Sequence, residues 1–321
     1  MMRDAVGVGA LNVDLIYSVP ELKIAGKKYI PGAEVFEDEN QFNQIKSELD
    51  SIGRIMKKSG GGSAANTMYA MARMGFDVGI LGIVGNDDHG DFILESMGKV
   101  DKTHVRRLDA TGVCVSLISG EDRSLIIFPN ANDFFQVSDE DINYLNDSRI
   151  VHLTSFVHDN ALKEQERITK RIDADVILSF DPGEIYARKG LKAIESLLKR
   201  CDIMLLSTRE VEMLTSLDPI DGSRSLLEFG PEIVVCKMGE KGSVILTDTD
   251  EIKIKPVETN VVDKTGAGDV YNAGFLAGIL KDWPLEKCGN FASLVAAKSI
   301  AGYGRDRYPD ERSIAIYEGG Y

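Results

Sequence analysis

Short runs of β-branched and aliphatic residues recur down this chain, at 5–8, 78–84, 150–153, 176–180, 203–206 and 233–237. Runs that are apolar almost throughout suit strands buried on both faces, and parallel strands need a crossover, usually a helix, between them. Stretches with helical spacing of apolar residues supply it at 64–74, 90–97, 161–172, 191–200, 210–214, 269–280 and 287–301. The alternation predicts an α/β fold built on a mainly parallel sheet. With 321 residues, 43% of them hydrophobic, the chain has material for a large core, as one domain with an appendage or as two domains.

Two stretches break the alternation. Residues 111–119 and 124–128 read as strands around the turn-like GEDR, with no helix between them. Residues 23–58 are polar, with a helical stretch near 41–55. Both stand off the main sheet, and ligand-covering loops usually sit on such excursions. A lid is therefore expected from about 11–35 and 109–130, with a polar helical insertion at about 36–58.

A net charge of −14 leaves no basic excess to neutralise nucleic-acid phosphates. Cys114, Cys201, Cys236 and Cys288 show no C-x-x-C spacing, and His89, His104, His152 and His158 show no metal spacing. His152 and His158 read as core or rim. Asp4, Asn12 and Asp14 interrupt what a signal peptide would need as an apolar core, and no apolar run approaches the ~18 residues of a membrane span. The expectation is a cytoplasmic protein with neither nucleic acid nor membrane as partner.

The chemistry concentrates in two glycine loops. In DKTGAGD, residues 263–269, the glycines let consecutive backbone N–H groups converge, and the helix that follows adds partial positive charge. Gly266, Ala267 and Gly268 would form an anion hole, with Asp269 beside it to accept a hydroxyl proton in a phosphoryl transfer. An aspartate N-cap after a glycine-rich loop reads the same residues equally well. The second loop, GGGSAAN at 60–66, opens another helix with Asn66 in its first turn. GVGALN at 7–12 has two of the three glycines of a dinucleotide fingerprint, and no glycine is followed directly by the Lys-Ser/Thr of a P-loop.

Together these stretches resemble the ribokinase, or phosphofructokinase-B, family of carbohydrate and nucleoside kinases. GALNVDLI is similar to its opening strand, GGSAAN to its first signature, and DKTGAGD with YNAGFLAG to its second. TGVCVSLI and EDRSLIIFPNAND resemble the lid hairpin and its return, and VVCKMGEKGSV the nucleotide-loop strand pair. The resemblance implies a single three-layer α/β/α domain over 1–321, with a small β lid. The implied reaction moves the γ-phosphate of ATP, with Mg2+, to a hydroxyl of a sugar or nucleoside. Asp269 would be the base. Asn12, Asp14, Gly61, Gly62 and Asn66 would line the acceptor site, with Asp14 at the end of the first strand gripping a diol. Ser207, Lys237, Gly239 and Gly242 would meet ATP, and Glu210 would support the metal through water.

Three points depart from the pattern or stay open. Ser207 stands where the family has Asn, and a hydroxyl lacks the amide donor. Lys264 replaces the commoner Thr. IAGYGRDRYP, at 300–309, lies where relatives line a monovalent-cation site, without a match that assigns ligands. The GGSAANT form and the long insertion lean towards the adenosine-kinase-like branch, with a sugar an equal contender. The alternatives are a non-catalytic nucleotide or sugar sensor of the same fold and an NAD-dependent oxidoreductase. In the hairpin, Val113, Val115 and Leu117 alternate with Cys114, Ser116 and Ile118, so two apolar faces need two coverings. One covering would be the acceptor. The other would be the lid of a second subunit, giving a homodimer, or residues 23–58 of the same chain.

Overall fold

A computed structural model describes residues 2–31, 34–37, 39–120 and 122–319. The first strand, β1 (Arg3–Val8), ends short of the acceptor motif; after a break the chain resumes as β2 (Asn12–Ser18) in a separate sheet. Asp14 thus sits within β2, not at the end of the first strand as expected, because its register partners are Ser59 and Cys114 of the small sheet. A two-residue pair, β3 (Lys23–Ile24) and β4 (Lys27–Lys28), and β5 (Glu34–Phe36) follow, then α1 (Glu39–Ile52) and β6 (Arg54–Gly61). Residues 32–33 of the expected lid, and Glu121 of its GEDR turn, lie outside the described residues.

The body is laid down next. It runs α2 (Ser63–Arg73), β7 (Val78–Val84), α3 (Asp88–Ser96) and β8 (Val105–Arg107), before β9 (Gly112–Ser119) and β10 (Asp122–Phe128) return to the small sheet. Then come α4 (Asp139–Asn146), β11 (Ser148–Thr154), α5 (Asp159–Thr169), β12 (Ile177–Asp181), α6 (Gly183–Ala187), α7 (Leu191–Leu198) and β13 (Ile203–Ser207). The chain closes with α8 (Thr208–Thr215), α9 (Pro219–Leu227), β14 (Ile233–Lys237), β15 (Ser243–Leu246), β16 (Glu251–Ile254), α10 (Ala267–Leu280), α11 (Leu285–Ser299) and α12 (Glu311–Gly319).

The main sheet has nine strands in the order β16-β15-β14-β13-β12-β11-β1-β7-β8. Pairing is parallel from β8 to β14 and antiparallel only for β15 and β16. The six apolar runs read from the sequence are β1, β7 and β11 to β14. One core packs the sheet against α2, α10 and α11; the other packs its opposite face against α4, α5 and α7 to α9. These are three α/β/α layers. Because β1 pairs with both β7 and β11, the strand order reverses beside it, and in open α/β sheets such a reversal marks a ligand crevice at the carboxyl ends of the strands.

The small sheet runs β5-β10-β9-β2-β6. Register puts Val13, Leu15, Val113, Val115, Ile126 and Phe128 on one face, all buried. That face is covered by α1 of the same chain: Ile45 and Leu49 are buried in the same core, and the Phe42 ring lies 4.9 Å from that of Phe128. Each such buried aliphatic contributes roughly 1.5–3 kcal/mol. The helical insertion expected to 58 stops at Ile52, where the Gly53 amide turns back to Leu49 O at 2.8 Å. From Arg54 the chain is a strand of the small sheet instead, since it pairs with β2 along its length. The face opposite α1 carries Asp14, Cys114 and Arg123 and looks onto the crevice.

Candidate active site

Parallel strands deliver their last residues to one edge. Asp181, Ser207 and Lys237 end β12, β13 and β14, and Ser207 is the register partner of Lys237. Lys237 Nζ donates to Asp181 Oδ2 at 2.8 Å and to Asn272 Oδ1 at 3.1 Å, while Asn272 Nδ2 donates to the same Asp181 oxygen at 2.7 Å. Burial pulls Lys237 down, but the charges of Asp181 and Glu210 outweigh it, so the ammonium is held. Burial pushes Asp181 up, and Lys237 reverses that. Neither Asp181 nor Asn272 was singled out from the sequence. A polar residue ending a buried parallel strand was the signal for Asp181.

Ser207 and Glu210 meet each other. Glu210 Oε2 accepts from Ser207 N at 2.7 Å and Ser207 Oγ from Glu210 N at 3.3 Å, a capping box that starts α8. The serine hydroxyl expected to face ATP is thus engaged in the cap. Burial first, and the charge of Asp181 second, raise Glu210 to about 7. Gly239 and Gly242 bracket the short turn between β14 and β15, and Lys264 Nζ approaches Glu240 across it at 3.3 Å, an exposed pair worth little.

Facing this edge is the mouth of α10. Gly266 caps it in the left-handed region at φ 73°, and a Cβ there would stand 2.4 Å from Tyr308 Oη, so only glycine fits. Ala267 N reaches back to Lys264 O at 3.3 Å; the amides of Gly266, Gly268 and Asp269 meet no backbone carbonyl among the described residues. These are the orphan donors of a helix start. Lys237 Nζ lies 3.4 Å from where a Cβ on Gly268 would be, so an ammonium backs the same loop.

Asp269 is in that first turn. Asn66 Nδ2, from the first turn of α2, donates to Asp269 Oδ2 at 2.8 Å, and Thr67 Oγ1 donates to Asp269 O at 3.2 Å. Burial drives Asp269 up to about 7, with Asp181 and Asp14 adding repulsion and Asn66 and Lys237 opposing. The other end of the Asn66 amide is also taken: its Oδ1 accepts from Arg305 Nε at 2.9 Å. Asn66, expected to line the acceptor site, is thus spent on Asp269 and Arg305.

Across the crevice stands the small sheet. A Cβ on Gly61 would fall 2.2 Å from Asp14 Oδ1, so the carboxylate lies directly against the GGGSAAN backbone. Gly62, at φ 96°, is the N-cap of α2. Burial raises Asp14 to about 6 against the pull of Arg305 and Arg123. Asn12 Oδ1 accepts from Asn132 Nδ2 at 3.0 Å, and Asn132 also bonds Leu11 N and O, so a buried amide braces the junction of the two sheets. Arg123 of β10 crosses to the body: Nη1 donates to Thr265 Oγ1 at 2.6 Å and stands 3.9 Å from Asp263 Oδ1.

A basic ammonium, orphan amides at a helix mouth and a half-buried carboxyl raised toward neutrality are the parts of a phosphoryl-transfer site. Residues 34–310 match the family described as pfkB family carbohydrate kinase. The chain belongs to this family. It is 36% identical over 241 residues to a sugar kinase of Archaeoglobus fulgidus, itself described as uncharacterized, covering 73% of this chain and 95% of that one. It is 29% identical over 281 residues to a nucleoside kinase of Methanothermobacter thermautotrophicus, covering 86% and 87%. The ribokinase of Arabidopsis thaliana, solved with ribose and ATP, shares the fold with a TM-score of 0.82 at 23% identity, over 99% of each chain. As a pfkB-family member this chain is a carbohydrate or nucleoside kinase that moves phosphate from ATP to a sugar or nucleoside.

Two expectations about histidine agree with the geometry. His152 is fully buried, bonds Ser179 Oγ at 3.0 Å, and is driven by burial to about 4. His158 caps α5 at the rim. Among the described residues no helix is long and apolar enough to cross a membrane, and no group of three or more His, Cys, Asp or Glu could hold a metal ion.

Proposed function

We propose that Asp269 is the general base that takes the acceptor hydroxyl proton, while the backbone at Gly266, Ala267 and Gly268 holds the transferred phosphoryl group. The observation that carries this reading is the Asp269 carboxyl itself, raised to about 7 at a helix mouth beside unpaired amides. A base poised near neutral pH is ionised often enough to act and basic enough to take the proton. Asn66 keeps it oriented. Asp14 grips the acceptor from the small sheet, which acts as the lid, and the Arg123 contact to Thr265 fits a closed lid.

ATP would lie along the β13–β15 edge, over Lys237 and the Gly239–Gly242 turn. Mg2+ is usually bound through one or two carboxylates, waters and substrate phosphates, which suits the free oxygen of Glu210. When bound, Mg2+ would offset the charge on the phosphates. Potassium dependence of turnover tests the monovalent cation, to which no residue is assigned. For assembly, the argument from a bare lid face no longer holds, since α1 fills that face. The open edge of β6, with Ile55 and Met56 exposed, still favours edge-to-edge pairing of two lids.

The deciding experiment is ADP release over a panel of sugars and nucleosides with Asp269→Asn as comparison. Turnover should fall by at least ~100-fold, the low end for a general base. A variant keeping more than half of wild-type turnover sinks the mechanism, and ATP binding without turnover on any acceptor favours the sensor.

A further inference from the structure

Asp181 is buried where β12 runs out beside the start of α10, and its two carboxylate oxygens serve different ends. Oδ1 accepts from Gly183 N at 3.0 Å, which fixes the carboxylate to the turn that follows it. Oδ2 accepts from Asn272 Nδ2 at 2.7 Å and from Lys237 Nζ at 2.8 Å, and Asn272 Oδ1 takes a second ammonium proton at 3.1 Å. The Asn272 amide fits only one way round, because its NH2 meets the carboxylate and its oxygen meets the ammonium. Three side chains, from β12, β14 and α10, thus close a triangle.

An ammonium has three donors, and the triangle uses two. The third has no partner among the described residues, and Lys237 Nζ stands 3.4 Å from where a Cβ on Gly268 would be, beside the unpaired amides of the α10 mouth. The lysine side chain keeps 14% of its surface exposed, so it is enclosed without being sealed off. Among the described residues no second cation pairs with Asp181. His152 lies on the same face of the sheet, opposite Ser179, but burial drives it to about 4 and it is neutral near pH 7. All of these bonds are made by the protein itself. The fold therefore orders the ammonium, which loses little freedom on meeting a phosphate.

We propose that Asp181 is a positioning residue for phosphoryl transfer, which together with Asn272 aims the third N–H of Lys237 at the terminal phosphoryl group of ATP. This rests on the reading that the backbone at Gly266–Gly268 holds that group. The phosphorus–oxygen bond to ADP breaks as the bond to the acceptor oxygen forms, the acceptor proton goes to Asp269, and Lys237 keeps its own. Its charge joins the amides in stabilising the phosphoryl oxygens. Asp181 acts through Lys237.

The test is a double-mutant cycle read as kcat for ADP release, with calorimetric binding of ADP as the control for folding. Lys237→Met should lower kcat by at least ~100-fold, the low end for losing one such donor. Asp181→Asn should lower it by at least about 10-fold, with ADP affinity within about 3-fold of wild type. In the Lys237→Met background, Asp181→Asn should change kcat by less than about 3-fold, because residues that act as a unit are not additive. A merely structural Asp181 would lower kcat by the same factor in both backgrounds, and that result overturns the proposal. So does an Asp181→Asn protein that keeps more than half of wild-type kcat or loses ADP binding along with turnover. If either charge-removing variant does not fold, Asn272→Leu decides, since it keeps the ion pair and removes only the second acceptor. It should lower kcat by about 2- to 12-fold, the range of one neutral hydrogen bond, at unchanged ADP affinity; an unchanged kcat overturns the proposal. Turnover that persists in Asp269→Asn but falls in Asp181→Asn would sink the base while leaving the positioning role to stand, and the reverse pattern would do the opposite.

Discussion

Replacing Asp269 by Asn should make the ligand-free protein more stable at pH 8 while it lowers turnover by at least ~100-fold. The carboxyl is raised from 3.8 to about 7, chiefly by burial and then by the charges of Asp181 and Asp14. A carboxyl raised in the folded state binds more protons folded than unfolded between those values. Its contribution is therefore fully present at low pH and lost as pH rises through about 7. At about 1.4 kcal/mol per unit, the shift sets a ceiling of about 4 kcal/mol. Asp14, raised to about 6, and Glu210, raised to about 7, act with the same sign, so some of the strain remains in the variant. An amide is isosteric and can still accept from Asn66, so we expect a gain of roughly 2–4 kcal/mol at pH 8 and almost none at pH 4. In thermal melts this is a rise of roughly 3–6 °C at pH 8, with a flatter dependence on pH than the wild type. Equal melting temperatures at pH 8, with equal slopes, would refute the claim that folding holds a charge here against its own preference.

Asp14→Ala should raise the acceptor KM by roughly 10- to 150-fold and leave the ATP KM within about 3-fold, as one charged hydrogen bond is lost on the acceptor side only; equal effects on both would make Asp14 structural. Asn66→Ala removes the donor that favours ionised Asp269, so the acid limb of kcat/KM for the acceptor should move up by about one unit. A limb that stays put or moves down rules out Asn66 as the group tuning the base. For assembly, light scattering should give a mass about twice 35.2 kDa, and Ile55→Asp with Met56→Asp should halve it. A single-chain mass in the wild type would dismiss edge pairing.

What was legible in the sequence follows from which interactions are local. β1, β7 and β11 to β14 announce themselves because strands buried on both faces are apolar throughout, and Gly266 with Asp269 announces a helix mouth because the cap is written in adjacent residues. β6 hid because RIMKKSGG lacks an apolar run; it is a strand only through its pairing with β2, some forty residues earlier. Asp14 was placed on the wrong strand for the same reason, since the break at 9–11 is set by the departure of β2 to another sheet. Asp181 and Asn272 lie 91 residues apart and meet only because β12 ends where α10 begins. Arg305 is the furthest case. The resemblance marks IAGYGRDRYP only as a loop near a cation site and gives Arg305 no role, and Asn66, its partner, is 239 residues away. Its burial exists only once the chain is folded. The residues proposed for proton transfer are therefore readable from their local frame, whereas Asp181, Asn272 and Arg305, placed by contacts from across the chain, are not.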